Sequence, residues 1–94
     1  MDKNDQGMLG TQSLARALAV LDAVASGCSD QVAIAQSVGT TRSTTSRVVS
    51  FLQRSGFVRH VDGRGYILGA RLIELGAAAL AQLPLTSLAR PFLQ

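Results

Sequence analysis

The residues of this chain best suited to chemistry are arginines and serines that recur at helical spacing between residues 42 and 54. At about 100° per residue, six of them fall on one side of a helix. They are Arg42, Ser43, Ser46, Arg47, Ser50 and Arg54. A guanidinium group can donate two parallel hydrogen bonds to guanine O6 and N7, and short hydroxyl side chains allow a helix to lie deep in the major groove. The pattern predicts a DNA-reading helix, with an ordinary polar surface as the alternative.

Position along this helix divides the expected roles. The first half of a recognition helix usually meets the base edges. We therefore expect base contacts from Arg42, Ser43, Ser46 and Arg47. Ser50 and Arg54 come later, and we expect them to contact the DNA backbone or to face solvent.

Two further arginines are candidates for phosphate contacts. Arg64 stands in the sequence Asp62-Gly63-Arg64-Gly65 between two β-rich stretches, so it is expected at the tip of a hairpin. A basic residue on a short loop can reach a phosphate or a minor groove. Arg16, expected in the first turn of the first helix, is a second candidate, with plain surface exposure as an equal alternative.

The charge distribution supports a polyanionic partner. The chain has a net charge of +3, but six arginines and one acid, Asp62, lie between Arg42 and Arg71. Positive charge confined to one half of a small domain favours nucleic acid over general solubility. The length of 94 residues and a hydrophobic content of 47% suffice for one domain with one core.

Other chemistry has little support in the sequence. His60 is the only histidine and Cys28 the only cysteine, so neither a metal site nor an intramolecular disulfide is expected. The acids are scattered, and no nucleophile elbow or phosphate-binding loop is present. We expect no enzyme activity and no cofactor. A lone cysteine, no signal peptide and no apolar run of membrane-spanning length favour a cytoplasmic protein.

The elements that must position these residues follow from the apolar spacing. Residues 1–12 are polar and aperiodic, and we expect a mobile tail. A helix should begin after Ser13 and end at Gly27. Its apolar residues recur at helical intervals: Leu14, Leu18, Leu21, Val24 and Ala25.

A helix-turn-helix is predicted next. Ser29 or Asp30 can cap a short helix that packs through Val32, Ile34, Ala35 and Val38. The small side chain of Ala35 and the turn at Gly39 suit a steep helix crossing. Thr41 can cap the recognition helix, whose buried side we expect to contain Val48, Phe51 and Leu52, together with Thr45.

The remaining elements are a hairpin and a final helix. Two β-rich stretches, 57–61 and 66–68, straddle the turn that contains Arg64. A helix over 70–83 follows, and its small residues allow a partner helix to approach closely; packing on its own domain is the alternative. These residues are Gly76, Ala77, Ala79 and Ala81. The fold class is thus mainly α with a small β-hairpin, a winged helix-turn-helix over 13–69.

Several fragments together resemble the N-terminal DNA-binding domain of the IclR family of bacterial transcriptional regulators. They are Ser13-Leu14-Ala15-Arg16-Ala17-Leu18, Ile34-Ala35 before Gly39, Arg42-Ser43-Thr44 before Arg47, Gly56-Phe57-Val58 and Tyr66-Ile67-Leu68-Gly69. The ordered series is more specific than any one fragment. One departure is Thr45, which stands where that family usually has an aliphatic residue, so its buried hydroxyl needs a partner.

The resemblance implies properties beyond the residues themselves. Members of this family bind near-palindromic operators as dimers or tetramers and carry a C-terminal domain that binds small molecules. Helix 70–83 would then be the linker helix, and residues 84–94 would begin a truncated effector-binding domain. The function expected is sequence-specific binding of double-stranded DNA in transcription regulation. The alternative is a winged-helix module for protein–protein contact or oligomerisation without DNA affinity.

Overall fold

The fold is a winged helix-turn-helix followed by one further helix, which confirms the predicted fold class. The structure is a computed structural model that describes the backbone of residues 3–84 and the side chains of residues 10–84. Its elements are α1 (Lys3–Ala25), α2 (Gln31–Val38), α3 (Arg42–Arg54), β1 (Val58–Val61), β2 (Gly65–Leu68) and α4 (Ala70–Gln82). The predicted start of a further domain lies, apart from Pro84, outside the described residues.

Helix α1 begins much earlier than the sequence indicated. It starts at Lys3, so the predicted cap at Ser13 is wrong, and residues 3–12 of the expected mobile tail are part of the helix. The segment contains no proline, and each residue that is added to an existing helix is ordered in return for one further hydrogen bond. The other end was predicted correctly, because Gly27 has a φ of 110° and the Cys28 amide donates to the Ala23 carbonyl.

The core lies where α1, α2, α3 and β1 meet. Its buried residues are Val20, Ala23, Val24, Ile34, Val49, Leu52 and Val58. The apolar series predicted on α1 is therefore only partly internal, since Leu14 is 67% and Leu18 62% exposed. Val32 on α2, predicted to pack inward, is also exposed, whereas Ile34 and Ala35 are buried.

The helix-turn-helix is fixed by the predicted caps. The Asp30 carboxylate accepts a hydrogen bond from the Ala33 amide at 2.8 Å, and the Thr41 hydroxyl accepts one from the Thr44 amide at 3.1 Å. Gly39 takes the left-handed conformation, with φ 80°, and its amide donates to the Ala35 carbonyl at 2.8 Å. These local interactions set the direction in which α3 leaves the turn.

The hairpin is held against the loop between α1 and α2. Strands β1 and β2 pair antiparallel, with Arg59 opposite Ile67 and His60 opposite Tyr66. The Tyr66 amide donates to the Ser29 carbonyl at 2.9 Å. At Gly65 a Cβ atom would overlap that carbonyl oxygen, so the close approach requires glycine. The base of the wing is thereby attached to the helical body.

The start of helix α4 is hydrogen-bonded to the segment that precedes β1. The Arg71 amide donates to the Gly56 carbonyl at 3.0 Å, and the Gly69 amide to the Phe57 carbonyl at 2.8 Å. None of the residues of α4 is buried. Within residues 3–84, no helix is both long enough and apolar enough to cross a membrane.

Candidate nucleic-acid interface

Helix α3 packs on the core through a different stripe from the one predicted. Its buried residues are Thr45, Val49 and Leu52. Val48 is only half-buried, and Phe51 is 56% exposed, so placing Phe51 in the core was wrong. The apolar pairs 48–49 and 51–52 cannot all point inward on a helix with 3.6 residues per turn. Packing between α1, α2 and β1 selects the stripe through Val49.

The rest of α3 presents the polar residues expected to bind DNA. Arg42, Ser43, Arg47 and Arg54 are exposed, whereas Ser46 and Ser50 are half-buried. At about 100° per residue, the direction opposite the core runs through Ser43, Arg47 and Arg54. The structure thus brings these three side chains to one outward face, which we call the α3 outer face.

The charged side chains of α3 are all positive. Helix α3 contains three arginines and no acidic residue. Within residues 10–84, an ion pair joins Arg71 to Glu74 on α4 at 2.8 Å, and none involves an arginine of α3. The guanidinium groups of Arg42, Arg47 and Arg54 therefore remain available to an anion from solution.

Arg16 is brought to the same region from α1. It lies well inside the helix rather than in its first turn, because α1 begins at Lys3. Arg16 and Arg47 both line a groove of about 600 Å³ between α1 and α3. The other walls of this α1–α3 groove include the apolar side chains Leu14, Ala17, Val48 and Phe51.

The wing carries its basic residues at the tip and along one strand. Arg64 is exposed in the turn, where its amide donates to the Val61 carbonyl at 3.0 Å. Arg59 and His60 of β1 are both exposed. The His60 ring lies edge-on to Tyr66 at 4.8 Å, and Gln31 donates to the Tyr66 hydroxyl at 3.1 Å. Tyr66 therefore joins the wing to α2.

One buried polar group is left without a partner. Thr45 is 0% exposed, and its hydroxyl makes no hydrogen bond with any described residue. The carbonyl of Thr41, one turn earlier, accepts the Thr45 amide instead. Leaving such a hydroxyl unpaired costs about 1–3 kcal/mol. Thr45 is thus a local weakness in the packing of α3.

The described side chains offer no metal-binding cluster. Among them, no group of three His, Cys, Asp or Glu residues comes together.

Comparison with known proteins places this arrangement in a family. The profile of the IclR helix-turn-helix domain matches residues 13–62, which is more than half of the chain. The transcriptional repressor IclR of Escherichia coli K12 is 34% identical over 86 residues, covering 88% of this chain and 31% of that protein. The chain therefore spans about a third of the length of this relative.

Two solved structures are similar in fold. One is an IclR transcriptional regulator from Alicyclobacillus acidocaldarius, with 35% identity and a TM-score of 0.66 over 72% of this chain and 29% of that one. The other is HmgR of Pseudomonas aeruginosa, with 30% identity and a TM-score of 0.68 over 85% of this chain and 35% of that one. Both are much longer than the chain described here.

Proposed function

Because the chain belongs to the IclR family of transcriptional regulators, we propose that it binds operator DNA sequence-specifically, with α3 in the major groove. The α3 outer face carries this proposal, since its arginines are exposed and unpaired among the described residues. A major groove about 12 Å wide admits one helix, and arginine is its commonest specific reader.

Base reading is assigned to the first half of α3. Arg42, Ser43, Ser46 and Arg47 contact base edges, and Arg47 is the central member because it lies directly opposite the buried stripe. Ser46 is half-buried, which suits a hydroxyl that contributes from the flank of the helix. A bidentate arginine–guanine contact contributes roughly 1–3 kcal/mol of discrimination.

Backbone contacts are assigned to the surrounding elements. Arg54 lies at the far end of the α3 outer face with the half-buried Ser50 one turn before it, Arg16 lies on α1, and Arg64 lies in the wing. Contacts of this kind fix the position of a protein on DNA without reading the sequence. Each arginine that neutralises one phosphate adds about 0.9 to the slope of log affinity against log salt concentration.

A homodimer is the proposed functional form, with α4 as part of its interface. Ile73 and Leu80 are exposed on the side of α4 opposite the Arg71–Glu74 ion pair. Gly76 and Ala77 lie between them along that side. Small residues between larger apolar ones allow two helices to approach closely. A twofold dimer matches two half-sites of a near-palindromic operator.

Ligand response is proposed for the part of the relatives that this chain does not cover. The chain spans about a third of the E. coli repressor. By the resemblance to the IclR family, a small-molecule effector would bind in a separate C-terminal domain. Regulation of chromosomal genes would place the protein in the bacterial cytoplasm.

Titration of labelled duplex DNA tests the proposal. Fluorescence anisotropy with a random-sequence duplex should show binding that weakens steeply between roughly 50 and 200 mM salt. The competing function is a winged-helix module for protein contact, favoured by the exposed Leu14 and Leu18. Such a module would show no salt-sensitive DNA binding, and that result would contradict the proposal.

A further inference from the structure

We propose that Phe51 reads a thymine by packing against its 5-methyl group in the major groove. The inference rests on the proposed DNA-binding function and adds to it a residue that the sequence had placed in the core. Among the bases, thymine alone carries a methyl group on its major-groove edge, and a phenylalanine ring is one of the side chains that contacts it.

The position of Phe51 on α3 supports this role. It lies one turn after Arg47 and one turn before Arg54, and its ring is 56% exposed. At about 100° per residue it points within roughly 60° of both arginines. A helix that lies in the groove with Arg47 on a base edge therefore brings Phe51 into the same groove.

A partner that covers the exposed Phe51 ring would bind more favourably. Burying a phenylalanine side chain contributes about 1.5–3 kcal/mol relative to leaving it in water. Within the described residues, the ring forms one wall of the α1–α3 groove but is not covered by it. A partner that removes Phe51 from water gains that contribution.

Charge decides between DNA and an apolar protein surface as that partner. The ring is flanked by Arg47 and Arg54, and Arg16 lines the same groove. An apolar helix seated there would bury guanidinium groups without a counter-charge, which is costly. A DNA groove presents a methyl group and phosphates together, so it satisfies the ring and the arginines at once.

Helix geometry also predicts where the thymine lies. Four residues advance about 6 Å along a helix, and base pairs are stacked about 3.4 Å apart. The thymine should therefore lie within roughly two base pairs of the base read by Arg47. This spacing makes the inference specific to one position in each half-site.

Replacement of thymine by deoxyuridine tests the contact, because it removes only the methyl group. A duplex is first selected from a randomised pool with the 94-residue chain, and each thymine is then replaced in turn. For the wild type, one replacement per half-site should weaken binding roughly fourfold, the effect of one buried methyl group. The Phe51→Ala variant should bind the thymine and deoxyuridine duplexes equally well.

Leu18→Ala is the matched control, because Leu18 is comparably exposed on α1 but does not line the groove. It should keep the wild-type preference for thymine. Wild-type indifference to every deoxyuridine replacement would overturn the inference while leaving the proposed function intact. An undiminished thymine preference in Phe51→Ala would also overturn the inference. So would a Phe51→Ala variant that binds the thymine and deoxyuridine duplexes with equally weakened affinity and no longer self-associates in sedimentation. Absence of salt-sensitive binding to any duplex would overturn the proposed function itself.

Discussion

Helices α3 and α4 have the same length but opposite relations to the rest of the molecule. Both contain 13 residues. Helix α3 buries Thr45, Val49 and Leu52 against the core and exposes a positive face, whereas α4 buries none of its residues and leaves Ile73 74% exposed. The stripe of α3 through Val49 is covered by the core and its polar side is available, whereas α4 has no apolar residue buried.

This difference shows which kind of partner each helix needs. A helix already packed on the core can meet a charged ligand without losing stability, because its outward residues contribute little to folding. A helix with an exposed apolar stripe gains stability when another apolar surface covers it. The expected partner of α3 is DNA, and that of α4 is a second protein surface.

The largest expected effect is on the free energy of unfolding, when leucine is replaced by alanine on α3 and, for comparison, on α4. Leu52→Ala should lower the free energy of unfolding by about 2–5 kcal/mol, because it leaves a cavity in the core. Leu80→Ala, on the exposed side of α4, should change it by less than about 0.5 kcal/mol at low protein concentration. Urea denaturation monitored by circular dichroism measures both. Equal losses would show that α4 is packed as firmly as α3.

The second prediction concerns the apolar stripe of α4. Ile73→Asp should weaken self-association at least tenfold, about 1.4 kcal/mol, because dimerisation would bury an unpaired carboxylate. Ala78→Asp is the matched control, since Ala78 lies on the other side of the same exposed helix and should leave association unchanged. Sedimentation equilibrium gives the association constants. Identical constants for wild type and Ile73→Asp would remove α4 from the interface.

The sequence predicted the turns and the caps of α2 and α3 well because each depends on a few neighbouring residues. Gly39 ends α2, Asp30 and Thr41 cap α2 and α3, and the hairpin turns at residues 62–64, as expected. A left-handed glycine or a capping carboxylate acts within one turn of chain. Such features can be predicted from the sequence without knowledge of the tertiary structure.

The buried stripe of α3 could not be predicted in the same way. Four apolar residues at 48, 49, 51 and 52 cover too wide an arc to identify which side faces inward. The tertiary contacts of α3 with α1, α2 and β1 make that choice, and they turn Phe51 outward. The start of α1 was missed for a related reason, since Ser13 has the chemistry of a cap but lies inside a longer helix.

For the wing, a smaller and sequence-independent effect is expected. Arg64→Ala should weaken binding to all duplexes about equally and reduce the slope of log affinity against log salt concentration by about one. Arg71→Ala is the control, because Arg71 is engaged with Glu74 and should not contribute a phosphate contact. Anisotropy titrations across a salt series give both slopes. A loss confined to one sequence would instead make Arg64 a base reader.

The smallest expected effect is a gain in stability on the buried side of α3. Thr45→Val replaces an unpaired hydroxyl by a methyl group of similar shape and should raise the free energy of unfolding by about 1 kcal/mol. Thr45→Ser keeps the hydroxyl and removes the methyl group, so it should lower stability. Thermal denaturation compares the two variants. A destabilising Thr45→Val would mean that the hydroxyl has a partner.

Selection of binding sites with the Arg47→Ala variant tests the central claim that the α3 outer face reads DNA. Sites selected from a randomised duplex pool by the wild type should show a guanine preference in each half-site that disappears with Arg47→Ala, while salt-sensitive binding persists. The lost discrimination should be roughly 1–3 kcal/mol at that base pair. Identical selected sequences for both proteins would contradict the claim and remove Arg47 from the reading surface.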